Sequence, residues 1–222
     1  MKPLRFNPLL KTSLWGGEKI ARYKGIVTEL SHVGESWELS GVEGRESVVA
    51  EGEFAGWALS QLVDRFRGAL VGEHVFARYG NEFPLLVKFL DARQELSVQV
   101  HPDDELAQQR HGKRGKAEMW YVVETEGAVR LKCGFSQEMT PAEYDRRVAD
   151  KTITDVLAEY ALAPGDVFFL PAGRVHAIGR GAFIAEIQQT SDLTYRIYDY
   201  DRLDIDGKPC QLHTGMARDA ID

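Results

Sequence analysis

The stretch Glu95-Leu-Ser-Val-Gln-Val-His101-Pro-Asp-Asp104 decides how this chain is read. It alternates and is rich in Val up to His101, so a strand with period two puts the side chains of Gln99 and His101 on one face. Working outward, a second β-type run, Glu118-Met-Trp-Tyr-Val-Val123, opens on an acid. A third, Val167-Phe-Phe-Leu170, leads through the turn Pro171-Ala-Gly173 to His176. The spacing Gly165-x5-Pro171-x-Gly173-x2-His176 delivers that imidazole at a set distance after a bend fixed by Pro171 and Gly173. An amide oxygen, two imidazoles and a carboxylate form the mixed nitrogen and oxygen set that suits zinc or a similar divalent ion, and one Zn2+ per chain is the expectation.

Around these motifs the chain reads as many short strands with Gly and Pro punctuation, which implies a sandwich or jelly roll. Helical patterns interrupt it. Trp57, Leu59, Leu62, Val63, Phe66 and Leu70 fit one amphipathic helix within 54–70. Pro102, Asp103 and Asp104 open a short helix over 105–111, where proline and acids favour a helix start. Thr140 caps a helical insertion over 136–158, with Pro141 at its first position and Glu143 closing a capping box. Asp206-Gly207 reads as a turn.

Composition narrows the class. The 222 residues are 44% hydrophobic and 27% charged, as in ordinary globular domains. No apolar run is long enough to span a bilayer, and the N-terminal Met-Lys-Pro-Leu-Arg-Phe lacks the apolar core of a signal peptide. Two cysteines far apart in sequence do not make a disulfide framework, so reduced thiols in a cytoplasmic protein are expected. A net charge of −7 argues against general affinity for nucleic acid. It also means that an anionic substrate must be met by a local basic cluster.

Two levels of resemblance follow from these strings. Gly165 to His176 resembles the second cupin motif, and Gln99-Val-His101 with Glu118 resembles the first, with Gln in place of its first His. Phe83-Pro-Leu-Leu-Val-Lys88-Phe-Leu-Asp91, Leu96-Ser-Val-Gln-Val-His-Pro-Asp-Asp104, Lys116-Ala-Glu-Met-Trp120, Leu14-Trp15-Gly16-Gly17 and Glu35-Ser-Trp-Glu-Leu-Ser40 are similar to type I mannose-6-phosphate isomerases. Departures are Arg180 where the cupin pattern often has Asn, and a late Gly127 after the acidic ligand. The resemblance implies a mainly β fold, a cupin jelly-roll barrel with short helical insertions. It would form a single domain over 1–222, a short form lacking the second β-barrel domain of longer type I isomerases.

The resemblance also implies a role for the basic residues. Arg196 matches the family's active-site Arg after the second motif, Lys116 the Lys before the Glu ligand, and Lys88, Ser97 and Trp15 are expected at the sugar phosphate. Metal ligation falls to Gln99, His101, Glu118 and His176. Aldose to ketose interconversion through a cis-enediol needs a cation to hold the enediolate oxygens and a base to reach the carbon acid. Lys116, Glu186 and a metal-bound water are the candidate proton carriers. The implied activity interconverts mannose 6-phosphate and fructose 6-phosphate. The alternative is a sugar-binding or regulatory cupin that keeps its metal without turnover.

Overall fold

Period-two patterning and punctuating turns set the strand boundaries of the computed structural model, which describes residues 2–203 and 207–222. Asp206, in the turn expected at Asp206-Gly207, lies outside the described residues. In chain order the strands are β1 (Leu9–Gly17), β2 (Val33–Ser40), β3 (Leu85–Asp91), β4 (Val98–Val100), β5 (Glu118–Thr125) and β6 (Arg130–Phe135). After them come β7 (Leu157–Ala161), β8 (Val167–Leu170), β9 (His176–Ile178), β10 (Ala182–Gln189) and β11 (Tyr195–Tyr198). The helices are α1 (Lys19–Lys24), α2 (Leu59–Phe66), α3 (Gly68–Val71), α4 (Glu73–Tyr79), α5 (Asp104–His111), α6 (Pro141–Ala149) and α7 (Thr214–Ala220).

The strands form two antiparallel sheets, ordered β1-β2-β3-β10-β5-β8 and β11-β4-β9-β6-β7. This corrects the expected mainly β, closed cupin barrel. β1 and β8 are the edges of one sheet, β11 and β7 of the other, and among the described residues no ladder joins them. Helices also contribute enough to make the fold mixed α/β. The physical reason is that alternation fixes which face of a strand is buried, whereas closure depends on tilt and stagger along the edges. Here the sheets bury their apolar faces against each other. Leu90, Trp120, Val122, Leu170 and Ile184 of the larger sheet share one core with Leu131 and Ile178 of the smaller.

Helices cover the outer surfaces. α6 and α7 supply Tyr144 and Ala217 to a second core with Val98, Val100, Tyr195 and Ile197. Ile20 of α1 packs with Val33 and Phe183 behind the larger sheet. Local chemistry explains the helix starts. Asp103 accepts a hydrogen bond from the Leu106 amide, and the Thr140 hydroxyl accepts one from the Glu143 amide ahead of Pro141 at the first position. The apolar spacing over 54–70 is divided at Arg67, whose φ of 48° ends α2 before α3 begins. The insertion over 136–158 holds α6 and then a single tight 3-10 turn, Ile153–Val156, that runs straight into β7. No helix among the described residues is long and apolar enough to cross a membrane.

Candidate metal centre

Both sheets aim polar side chains into the space between them. Gln99 lies on β4, His101 just after it, and His176 opens β9, with Gln99 and His176 in register as neighbours. These three come from the smaller sheet. Glu118 opens β5 of the larger one. The turn before His176 needs the residue at its tip in the left-handed region, and Gly173 takes it with φ 85°.

His101, Glu118 and His176 are buried, and one ligand atom from each lies within 4.8 Å of the others. His176 Nε2 is 3.2 Å from Glu118 Oε1, and His101 Nε2 is 3.5 Å from Oε2. The other ring nitrogens are already used. His101 Nδ1 lies 2.8 Å from the Leu193 carbonyl oxygen, and His176 Nδ1 lies 2.8 Å from that of Arg174. A carbonyl can only accept, so each Nδ1 carries the proton and each Nε2 keeps its lone pair. Such outer partners are how metal-binding imidazoles are oriented.

The electrostatics favour the same state. Burial, reinforced by the Lys116 charge, pushes the His101 pKa well below the ordinary imidazole range. Burial also lowers that of His176, against the opposing pull of Glu118. Burial alone would raise Glu118, but the Lys116 ammonium beside it overrides that and holds the carboxyl lowered. Neutral imidazoles and an ionised carboxylate are the forms that bind a metal. Neither Glu118 oxygen accepts a properly directed hydrogen bond, although Lys116 Nζ pairs with Oε2 at 2.8 Å. Buried carboxylate oxygens so placed, facing two unprotonated imidazole nitrogens, fit a divalent cation.

Gln99 turns its amide nitrogen toward His176 Nε2, at 3.2 Å, and its oxygen toward the Ser97 hydroxyl, at 3.4 Å. The two amide ends are interchangeable by rotation, and Ser97 can serve either as donor or acceptor. Lys116 reaches the centre from the loop before β5, its Nζ 3.0 Å from His101 Nε2. Its backbone amide is held by the Pro102 carbonyl.

A charged group adjoins this cluster on the larger sheet. Lys88 of β3 pairs with Glu186 of β10 at 2.8 Å and with Glu35 of β2 at 3.5 Å. Burial works to raise the Glu35 pKa, but Lys88, Lys11 and the Trp37 indole outweigh it and bring it down to about 2. Burial disfavours the Lys88 ammonium, yet Glu186 and Glu35 raise its pKa above the usual lysine value.

Arg196 of β11 stands in register with Gln99, donates from Nη1 to the Gln211 carbonyl at 3.1 Å, and leaves Nε buried without a partner among the described residues. Trp15 of β1 is half-buried against the core that the two sheets share. Among the described contacts neither touches the His–Glu–His group. Glu35, Trp37 and Trp120 were not singled out from sequence as site residues. For Glu35 the signal was present, as an acid at an inward position of an alternating strand between Val33 and Trp37.

Comparison with known proteins places the chain among relatives. Residues 4–131 match the family model described as phosphomannose isomerase type I, catalytic domain. The sequence is 38% identical to mannose-6-phosphate isomerase ManA of Bacillus subtilis (strain 168), over 100% of this chain and 68% of that one. It is also 38% identical to the probable mannose-6-phosphate isomerase GmuF of the same organism, over 99% and 68%. The solved mannose 6-phosphate isomerase from Bacillus subtilis superposes with a TM-score of 0.91 at 33% identity, covering 100% of this chain and 69% of that one.

Proposed function

The chain belongs to the type I phosphomannose isomerase family, and on that footing we propose that it interconverts mannose 6-phosphate and fructose 6-phosphate as a metal-dependent isomerase. The observation that carries the reading is the buried His101–Glu118–His176 cluster with its two unprotonated imidazole nitrogens turned to the carboxylate. We assign one Zn2+ to these three residues and to the Gln99 amide oxygen, after rotation of that amide. Zinc bound there would act as a Lewis acid on the sugar oxygens that carry charge in the enediol.

The chain's own groups supply the rest. Lys116, beside both a ligand imidazole and Glu118, is assigned the proton transfer at C1 or C2, as its amine to take the proton and as its ammonium to return it and steady the enediolate. Glu186 completes the proposed catalytic set with Arg196. Lys88, Ser97 and Trp15 are assigned to the sugar phosphate. Arg196 presents a buried Nε–H with no partner among the described residues, which suits a phosphate or hydroxyl oxygen. The two free cysteines support a reducing, cytoplasmic setting.

A coupled assay of mannose 6-phosphate conversion in deuterated water, with metal analysis on the same sample, tests the assignment. Metal-dependent, oxygen-independent conversion with some deuterium at C1 or C2 is expected. Tight binding of the sugar phosphate with no product under any divalent metal would overturn it and favour a binding protein. Arg196→Ala should lower kcat/KM by about 1.5–3 kcal/mol of lost charge-assisted contact, with metal content unchanged. Wild-type kinetics in that variant would remove Arg196 from the site.

A further inference from the structure

Four strands of the larger sheet place one row of inward side chains in register: Trp37, Lys88, Glu186 and Trp120. Both tryptophans are buried, and each spends its single polar atom on a carboxylate. Trp120 Nε1 donates to Glu186 Oε2 at 2.8 Å, and Trp37 Nε1 donates to Glu35 Oε2 at 2.6 Å. Those are the same two carboxylates that hold Lys88. Lys88 is itself nearly buried, at 9% exposure, so its position is set by these partners and not by solvent.

We propose that Trp37 and Trp120 are positioning residues, whose indole N–H groups lock the Glu35 and Glu186 carboxylates so that together these fix the Lys88 ammonium beside the metal-ligating cluster. Filling the core would need only an apolar ring, and Phe would serve. An indole N–H is a donor with no acceptor capacity, so when buried it demands an acceptor and fixes it in return. Glu186 illustrates the constraint: with Oε2 taken by Trp120, Oε1 is the oxygen that faces Lys88. Trp120 also stands edge-on to His176, with ring centroids 5.2 Å apart, so metal content must be followed alongside.

The proposal rests on Lys88 contacting the sugar phosphate, and the experiment separates the two. In the metal-loaded enzyme Trp120→Phe should lower kcat/KM roughly 10- to 100-fold, the scale of a lost hydrogen bond to a charged group. Metal content should stay at the wild-type level. In a Glu186→Gln background the same change should cost no more than about threefold, because residues acting through one partner are not additive. Trp37→Phe with Glu35→Gln forms a second, independent cycle. Multiplicative losses in both cycles, or wild-type kinetics in both Phe variants, would overturn the positioning role. Should the wild-type enzyme convert no mannose 6-phosphate, the isomerase reading fails while this one is still decided by NMR. The Trp120 indole N–H resonance should shift markedly in Glu186→Gln, and an unmoved resonance would overturn it.

Discussion

His176→Ala should lose its metal on dialysis and lose about 1,000-fold or more in kcat, the scale of several kcal/mol of charge stabilisation at the sugar oxygens. The geometry makes the loss asymmetric. His176 Nε2 is the donor nearest Glu118 Oε1 and the one in register with Gln99, so its removal strips the side of the cluster where the amide would bind. His101→Ala should behave alike, and it also leaves the Leu193 carbonyl without its donor. Metal analysis, kcat and a thermal melt on both variants give the check. Stoichiometric metal with wild-type turnover in both would sink the assignment of these imidazoles as ligands.

The largest loss of stability is expected from Gly179→Ala. A Cβ built there would stand 1.8 Å from the Arg130 carbonyl oxygen, a backbone atom at the start of β6 that cannot swing away as a side chain could. The β6–β9 ladder, with Leu131 opposite Ile178 and Cys133 opposite His176, would have to open to admit it. Overpacking against backbone should cost about 3 kcal/mol or more, lowering Tm by roughly 6–12 °C for a chain of this size. Because β9 carries His176, metal affinity should fall with it. Gly215→Ala is the control: it lies in α7 with open space around the added methyl, and alanine there should be neutral or stabilising by up to about 1 kcal/mol. Equal melting points for the Gly179 variant and wild type would show that the two strands have room to separate.

The candidate ligands were legible in sequence because their placement is local. Alternation aims Gln99 and His101 together, and Pro171 with Gly173 delivers His176 after a bend. What joins them is not local. Whether the edges β1 and β8 find partners depends on strand tilt summed across a whole sheet, and the expected closed barrel gave way to two open sheets for that reason. The Lys88 environment was hidden likewise. Glu35, Lys88 and Glu186 meet only through the registers of β2, β3 and β10, which no spacing within one strand encodes. The division at Arg67 had a signal in the following Gly68, but apolar periodicity ran across it from Trp57 to Leu70 and masked the break.

The split origin of the cluster has a kinetic corollary. Gln99, His101 and His176 come from one sheet and Glu118 from the other, and the two imidazoles stand 75 positions apart in the chain. Closing loops of that length early is entropically unfavourable, and a chain dominated by such distant pairings folds slowly. The complete candidate ligand set therefore exists only after the two sheets have docked, and an ion held by all four residues would arrive as the final fastening. Metal uptake during refolding should then trail the recovery of β-sheet signal, turning the bound ion into a clock for the last step of assembly.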